Sequence, residues 1–331
     1  MRDERTSFTV VVTGDTIAAE AMDILRDHCR TVFTGPYPDP ELLMRTIRDE
    51  KADALIIRTG KATKGVVAAS RSLKVIAKHG VGFDNIDVVA ATAEGIPVMI
   101  SATANYESVA EHTLALMFCL AKQIPWLDQR MRQGIWDKTT FRGQELYRKK
   151  LGLVGYGRIG RRVHALVAPL DMRVWVFEPL LPPDHFPPNV TRVSRLEDLL
   201  KEVDILSLHC PLTEQTRHLI GQPEMELMKK SAWLINTARG GLVDEGALIN
   251  ALEKRTIAAA ALDTFEQEPP ADIRRLSEGG RVVLTPHVGA GTEEAYIRMG
   301  IEAARNVLSI LKGETPDIDY LVNREVLLEK G

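Results

Sequence analysis

Short apolar runs alternate with segments of helical spacing along almost the whole chain. Phe8-Thr-Val-Val-Val-Thr13 reads as a β-branched strand that stops at Gly14-Asp15, and Ile17 to His28 follows with helical periodicity. Ala54-Leu-Ile-Ile-Arg58, Leu73-Lys-Val-Ile-Ala77 and Pro97-Val-Met-Ile100 read as further buried strands. From Leu151 the pattern restarts, with runs at 151–154, 173–177, 204–208, 232–235, 258–262 and 282–285. Strands separated by helices predict parallel sheets covered on both faces. The second set has the strand count of a six-stranded doubly wound sheet. Val109 to Lys122 is apolar nearly all round, which predicts a buried helix, placed to link the two sets. A last helix, Glu293 to Lys312, follows the second set and is expected to return to the first, making that domain discontinuous. Leu181 to Pro188 is proline-rich and short, and reads as a rigid surface loop.

The restart carries the first chemical signal. Leu151-Gly-Leu-Val-Gly155-Tyr156-Gly157-Arg158-Ile159-Gly160 is a strand that breaks into a glycine turn and continues as a helix. In that context Gly-x-Gly-x-x-Gly is a dinucleotide fingerprint. Gly155 permits the tight turn, Gly157 lets backbone N–H groups approach a pyrophosphate, and Gly160 lets helix and strand pack closely. The helix N-terminus adds free amides and a partial positive charge. The following strand, Arg173-Val-Trp-Val-Phe-Glu178, ends in the acidic residue that such a motif requires about 20 positions on. Glu178 would accept from a ribose 2′-OH and repel a 2′-phosphate, so NAD is expected over NADP.

Composition narrows the class. The chain has 331 residues, room for two domains each with its own core. A net charge of −3 leaves no basic footprint for nucleic acid or an anionic membrane surface. No apolar run has the length of a membrane span, and the charged N-terminus, Met-Arg-Asp-Glu-Arg-Thr-Ser, is no secretory signal. Cys29, Cys119 and Cys210 sit at unrelated spacings beside apolar stretches, which argues against a disulfide framework or a zinc site. A cytoplasmic, enzyme-sized protein without a metal is expected.

Ligands of open α/β sheets gather beyond the carboxyl ends of the strands. There the sequence delivers Asn236-Thr-Ala-Arg239-Gly, Asp263-Thr-Phe-Glu266-Gln-Glu268-Pro-Pro and Pro286-His287-Val-Gly-Ala-Gly, so one arginine, several carboxylates and one histidine share a rim. Any one of these alone would more often be a solvated loop residue. A nicotinamide on that rim would bring hydride transfer to or from a carbon bearing oxygen, leaving the protein to bind, orient and manage one proton.

Lys78-His-Gly-Val-Gly82-Phe-Asp-Asn-Ile-Asp87, Asn105-Tyr-Glu-Ser-Val-Ala-Glu-His112, the glycine fingerprint, His209-Cys-Pro-Leu-Thr213, Asn236-Thr-Ala-Arg-Gly240, Leu262-Asp-Thr-Phe-Glu-Gln-Glu-Pro269 and Thr285-Pro-His287 follow one another in a single order. Together they resemble the D-isomer-specific 2-hydroxyacid dehydrogenase family, in particular its 3-phosphoglycerate dehydrogenase branch. The resemblance implies a doubly wound Rossmann domain, residues 102–295, inserted in a flavodoxin-like parallel-sheet substrate domain, residues 1–101 with 296–331. It also implies a homodimer, and the regulatory domain that some relatives append after the last helix is not expected.

By the same resemblance Arg239, Glu268 and His287 are catalytic. Arg239 would hold the substrate carboxylate by a planar fork of donors, His287 would carry the proton, and Glu268 would hold the other imidazole nitrogen. The cofactor set comprises Gly155, Tyr156, Gly157, Arg158, Ile159 and Gly160 at the phosphates and Glu178 at the ribose. It continues with His209, Cys210, Pro211 and Thr216 near the adenosine, and with Thr237, Ala238, Arg239, Asp263, His287 and Gly289 toward the nicotinamide. Substrate contacts fall to Arg58, Lys78, Val81, Gly82 and Asn105 besides Arg239 and His287. Arg58, Lys61, Lys78 and His79 either favour an acid with a second negative group or merely solvate a rim, and Lys78-His79 departs from a typical phosphoglycerate dehydrogenase. Domain closure is expected to turn on residues 101–105 and 290–296. A glyoxylate/hydroxypyruvate reductase is the alternative within the family. Formate dehydrogenases pair the histidine with glutamine rather than Glu268, and a dinucleotide-sensing scaffold is the alternative of another class.

Overall fold

The structure, a computed structural model, describes residues 8–270, 273–278 and 281–330. The charged N-terminal heptad lies outside them. Twelve strands are present among the described residues: β1 Phe8–Val12, β2 Cys29–Phe33, β3 Ala54–Ile57, β4 Val75–Lys78, β5 Val98–Ile100, β6 Lys150–Val154, β7 Arg173–Phe177, β8 Val190–Val193, β9 Ile205–Leu208, β10 Trp233–Asn236, β11 Ala259–Leu262 and β12 Arg281–Leu284. The chain divides into two compact units, Met1–Asn105 with Gly291–Gly331, and Tyr106–Ala290.

The first unit holds a five-stranded sheet in the order β2-β1-β3-β4-β5, paired in parallel throughout. Side chains alternate across a strand. Val10, Val12, Ala54, Ile56, Val75 and Ala77 therefore face one way, where Leu25 and the last helix, Glu293–Leu311, cover them with Ala303, Ala304 and Val307. Val11, Leu55, Ile57, Ile76 and Val98 face the other way, onto Leu43, Ile47, Val66 and Ala90 of three shorter helices. The last helix thus belongs to the first unit's core.

The second unit holds a seven-stranded parallel sheet in the order β12-β11-β10-β9-β6-β7-β8. Its outer strand β8 makes the sheet one strand wider than the apolar runs predict. Leu206, Leu208, Leu234, Ala260 and Leu262 pack on one face with Leu199, Leu200, Leu248 and Leu252. Leu151, Leu153, Val174, Val176 and Ile235 pack on the other with Met117, Leu120, Val163 and Val167. Met117 and Leu120 belong to the helix Tyr106–Lys122. That helix lies wholly inside the second unit and starts at its first residue, so it is a core element there rather than a free link. The proline-rich segment 181–188, expected as a rigid surface loop, is mostly exposed and contains a short 3₁₀ turn, Pro183–His185, followed by Phe186, whose ring stacks on Tyr156. Chain order reverses between β6 and β9, the switch point beyond whose carboxyl ends ligands of such sheets bind.

Candidate active site

The three fingerprint glycines answer three different constraints. At Gly155, with φ +95°, a Cβ would stand 2.7 Å from the carbonyl carbon of His209, so only glycine lets the turn after β6 lie against the end of β9. At Gly160 a Cβ would meet Gly155 O at 2.5 Å, which would push the helix Arg158–Val167 off the strand. Gly157 is exposed, and a Cβ there would meet nothing within 4 Å. The protein's own packing therefore requires two of the glycines but not the third. Gly157 is also the N-cap of that helix and offers no side-chain cap to the first-turn N–H groups. An open cradle of amides at a helix N-terminus fits the pyrophosphate of a dinucleotide. Exposed Arg158 and half-buried Ile159 stand beside it.

Glu178, just past β7, accepts from Tyr156 N at 3.1 Å and from Leu180 N at 3.0 Å, which fixes its carboxylate at the edge of the glycine turn. Tyr156 points inward. Its side chain is buried, and its hydroxyl lies 2.7 Å from His164 Nδ1, so only its backbone belongs to the turn. After β9, the His209 ring contacts Ser207 Oγ at 2.9 Å, and burial pushes its pKa down to about 3, leaving it neutral. Burial likewise pushes the Cys210 thiol up to about 11. Exposed Pro211 is held by Thr216, whose hydroxyl donates to its carbonyl at 2.7 Å.

Beyond β10, the Asn236 side chain folds its own loop, donating to Arg239 O at 2.8 Å and accepting from Ala238 N at 3.0 Å. Thr237 turns its hydroxyl inward to Thr113, 2.9 Å away. Gly240 is pressed against the loop after β11, where a Cβ would fall 1.8 Å from the Phe265 carbonyl carbon. That backbone contact puts Arg239 beside Glu268, whose carboxyl feels its charge. Glu268 accepts from Phe265 N at 3.1 Å, and its Oε2 lies 2.7 Å from His287 Nδ1. Burial acts to raise the Glu268 pKa, but the hydrogen bond and charge of His287, the Phe265 amide and Arg239 outweigh it and hold it below the ordinary value. An ionised carboxylate only accepts, so His287 Nδ1 carries the hydrogen and Nε2 is left to exchange a proton. Asp263 is buried, and accepts from Thr285 Oγ1, Val288 N and Gly289 N.

In the first unit Arg58 follows β3 and Lys78 ends β4, neighbouring parallel strands. The Arg58 guanidinium lies 5.1 Å from the Tyr296 ring centroid and donates to Thr16 O. Lys78 Nζ donates to Arg58 O at 3.1 Å, while Lys61 is exposed. His79 is buried with its Nε2 unpartnered, and burial, with the Arg58 charge, pushes its pKa down to about 3. Gly80 has φ +136°, and half-buried Val81 and Gly82 follow it. Asn105 Oδ1 is also buried without a partner, as is Thr31 Oγ1 in the same unit. His79 and Asn105 follow the neighbouring strands β4 and β5, and unpartnered polar atoms there suit a polar ligand.

His112 and Thr285 were not among the residues singled out by sequence for the site, yet they stand next to Asp263, with His112 Nε2 3.0 Å from Thr285 Oγ1. The available signal was a histidine inside an otherwise apolar helix. Among the described residues no group of three or more His, Cys, Asp or Glu is placed to hold a metal ion, and no helix is long and apolar enough to cross a membrane. Cys29, Cys119 and Cys210 are unpaired.

Residues 114–289 match the family described as D-isomer specific 2-hydroxyacid dehydrogenase, NAD binding domain. The chain is 44% identical over 306 residues to the D-3-phosphoglycerate dehydrogenase of Methanocaldococcus jannaschii, covering 92% of this chain but only 58% of the length of that relative. It is 41% identical over 326 residues to the glyoxylate reductase of Thermofilum pendens, covering 94% of this chain and 93% of that one. The crystal structure of a glyoxylate reductase from Paecilomyes thermophila is similar with a TM-score of 0.86 at 30% identity, over 96% of this chain and 99% of that chain. Fingerprint, strand-end loops and full-length likeness agree: the chain belongs to the D-isomer-specific 2-hydroxyacid dehydrogenase family and carries its NAD-binding domain.

Proposed function

We propose that this protein is an NAD-dependent dehydrogenase that interconverts a small 2-hydroxy acid and its 2-oxo acid. One observation carries the reading: the His287–Glu268 pair at 2.7 Å, with Arg239 held alongside by the Gly240 contact, on the strand-end rim that also carries the open Gly157 cradle. Bound with its pyrophosphate at Gly157, the dinucleotide supplies or accepts the hydride. Arg239 holds the substrate carboxylate with its fork of donors and polarises the adjacent oxygen. His287 gives a proton from Nε2 to the carbonyl oxygen during reduction and takes it back during oxidation. Glu268 holds the ring so that Nε2 faces the reacting oxygen.

Charges of the first unit support a reading of the substrate class. The cations Arg58 and Lys78 at neighbouring strand ends favour an acid that carries a second negative group. That makes a phosphoglycerate dehydrogenase-like preference the first reading, with Val81, Gly82 and Asn105 completing the contacts. The full-length likeness to a glyoxylate reductase supports the other reading, a glyoxylate/hydroxypyruvate reductase. NADH oxidation followed with 3-phosphohydroxypyruvate, hydroxypyruvate and glyoxylate separates them. The phosphorylated acid should show the highest kcat/KM, and a preference for glyoxylate would select the reductase. No turnover with any acid, despite tight NADH binding, would reject dehydrogenase function and favour a scaffold.

A homodimer is part of the same proposal. The helix Ile124–Arg132 buries none of its residues, and Ile124, Trp126, Met131, Trp136 and Tyr147 leave an exposed apolar stretch that a second copy would cover.

Glu178 is the proposed source of NAD preference. Glu178→Ala should cut the ratio of NADPH to NADH dissociation constants by roughly tenfold or more, about 1.4 kcal/mol of lost discrimination. Fluorescence titration with both cofactors measures it, and an unchanged ratio would place the ribose contact elsewhere.

A further inference from the structure

The loop that carries His287 is pinned from behind. Asp263, 1% exposed, follows β11 directly and accepts from three groups of that loop: Thr285 Oγ1 at 2.6 Å, Val288 N at 2.9 Å and Gly289 N at 2.7 Å. These donors flank His287 on both sides in sequence. His112, from the helix Tyr106–Lys122, places Nε2 3.0 Å from Thr285 Oγ1 and 3.4 Å from Asp263 Oδ1. The Thr285 hydroxyl has one hydrogen, and it goes to Asp263, so His112 Nε2–H must be the donor toward the Thr285 oxygen. Gly289 completes the fit, since a Cβ there would stand 2.9 Å from Asp263 Oδ2, 3.6 Å from His112 Cδ2 and 3.8 Å from Val109 Cγ1. Burial acts to raise the Asp263 pKa, but the bonds from His112, Thr285, Val288 and Gly289 hold it below the ordinary value, so the acceptor stays ionised.

The loop needs such support. His287 has φ +53°, a left-handed conformation that costs a non-glycine residue about 1–3 kcal/mol and persists only when its surroundings over-determine it. Glu268 fixes the ring but not the backbone. Thr285 N–H on Leu262 O and His287 N–H on Thr285 O, 3.0 Å each, hold the backbone ahead of the ring, and Thr285 Oγ1, Val288 N and Gly289 N all meet on one carboxylate.

We infer that His112 and Thr285, acting through Asp263, are positioning residues that hold His287 in its left-handed backbone conformation and thereby keep its ring on Glu268. None of the three needs to touch the substrate. The inference rests on His287 as the proton carrier of the proposed reaction, and it assigns the Asp263 carboxylate to the loop.

The test compares Thr285→Val, Thr285→Ser, His112→Leu and His112→Gln with the wild type by kcat, NADH dissociation constant and NMR titration of the His287 imidazole in the cofactor-free protein. Thr285→Val and His112→Leu should each lower kcat by about 10–100-fold, the scale of a reacting group misplaced by about an ångström. NADH affinity should fall much less than kcat, because the glycine turn and Glu178 are untouched and only the nicotinamide end of the cofactor set, Asp263, His287 and Gly289, is loosened. The His287 titration midpoint should move in both variants as its pairing with Glu268 loosens. Thr285→Ser keeps the hydroxyl and should restore all three readings, and His112→Gln, which keeps a donor, should fall nearer wild type than His112→Leu. The Thr285→Val/His112→Leu double variant should be little worse than the poorer single, as members of one network are not additive. Wild-type kcat and an unmoved His287 midpoint in Thr285→Val overturn the inference, as does a loss of NADH affinity that matches the loss of kcat. A wild type that reduces no 2-oxo acid refutes the dehydrogenase reading instead. The His287 midpoint then decides the network alone: movement in Thr285→Val but not in Thr285→Ser sustains it, and equal midpoints overturn it.

Discussion

His287→Asn should lower kcat by about 10²–10⁴-fold, the usual worth of a positioned proton donor, while leaving NADH affinity within a few-fold of wild type. Asparagine is the informative replacement because the residue sits at φ +53°, a region that Asn adopts more readily than most side chains. The substitution thus removes the imidazole without adding strain. His287→Ala should lose as much kcat and also some stability, since Ala is less at ease in that conformation. Steady-state kinetics with the preferred 2-oxo acid and NADH fluorescence titration separate the two effects. Equal losses in kcat and cofactor affinity would mean that His287 supports the cofactor site rather than carrying the proton.

The pH dependence follows from Glu268. Its carboxyl is held below the ordinary glutamate value in spite of burial, by His287, the Phe265 amide and Arg239. A depressed carboxylate contributes stability above its unfolded pKa and loses it as pH falls through the folded one. The His287–Glu268 pairing should therefore survive through the range in which a free glutamate protonates and fail only below it. A kcat/KM profile whose acid limb is unchanged in Glu268→Gln would assign that limb to another group.

Local physics made much of this fold and rim readable in advance. A glycine turn between a strand and a helix, and strand-end loops rich in polar residues, depend on nearest neighbours in sequence, so Gly155, Gly157, Gly160 and the loops after β10, β11 and β12 could be placed from the chain alone. Two of the four edge strands, β2 and β8, could not. β2 reads Cys-Arg-Thr-Val-Phe and β8 reads Val-Thr-Arg-Val, both partly exposed, and neither needs the continuous apolar run that marks a strand buried on both faces. The direction of Tyr156 was also hidden, because a turn of given sequence can send its central side chain to either side. The pairing of His112 with Thr285 spans 173 positions, and no local period encodes it. Distance along the chain, more than chemistry, set the limit.

Gly240→Ala should be the most damaging single methyl group in the second unit. Its Cβ would fall 1.8 Å from the Phe265 carbonyl carbon, 2.0 Å from its oxygen and 2.3 Å from Glu266 N, all backbone atoms that cannot rotate away. The loops after β10 and β11 would have to separate by more than an ångström. Ordinary overpacking costs about 1–3 kcal/mol, and a backbone-against-backbone overlap belongs at or above the top of that range. At about 2–4 °C per kcal/mol for a unit of this size, the melting temperature should fall by roughly 6–12 °C. Activity should fall further than stability predicts. The Gly240 contact sets the distance between Arg239, on one loop, and the Phe265 amide that holds Glu268, on the other. Moving them apart draws the guanidinium away from the carboxylate and, through Glu268, shifts the His287 ring. The folded fraction of Gly240→Ala should accordingly retain NADH binding at the glycine turn but lose kcat by about 10²-fold or more, as misplacement on the ångström scale requires. Calorimetry together with kinetics normalised to folded protein measures both. A variant that melts like wild type and turns over at its rate would show that the two loops are free to part, and that the arginine and the histidine–glutamate pair do not act as one unit.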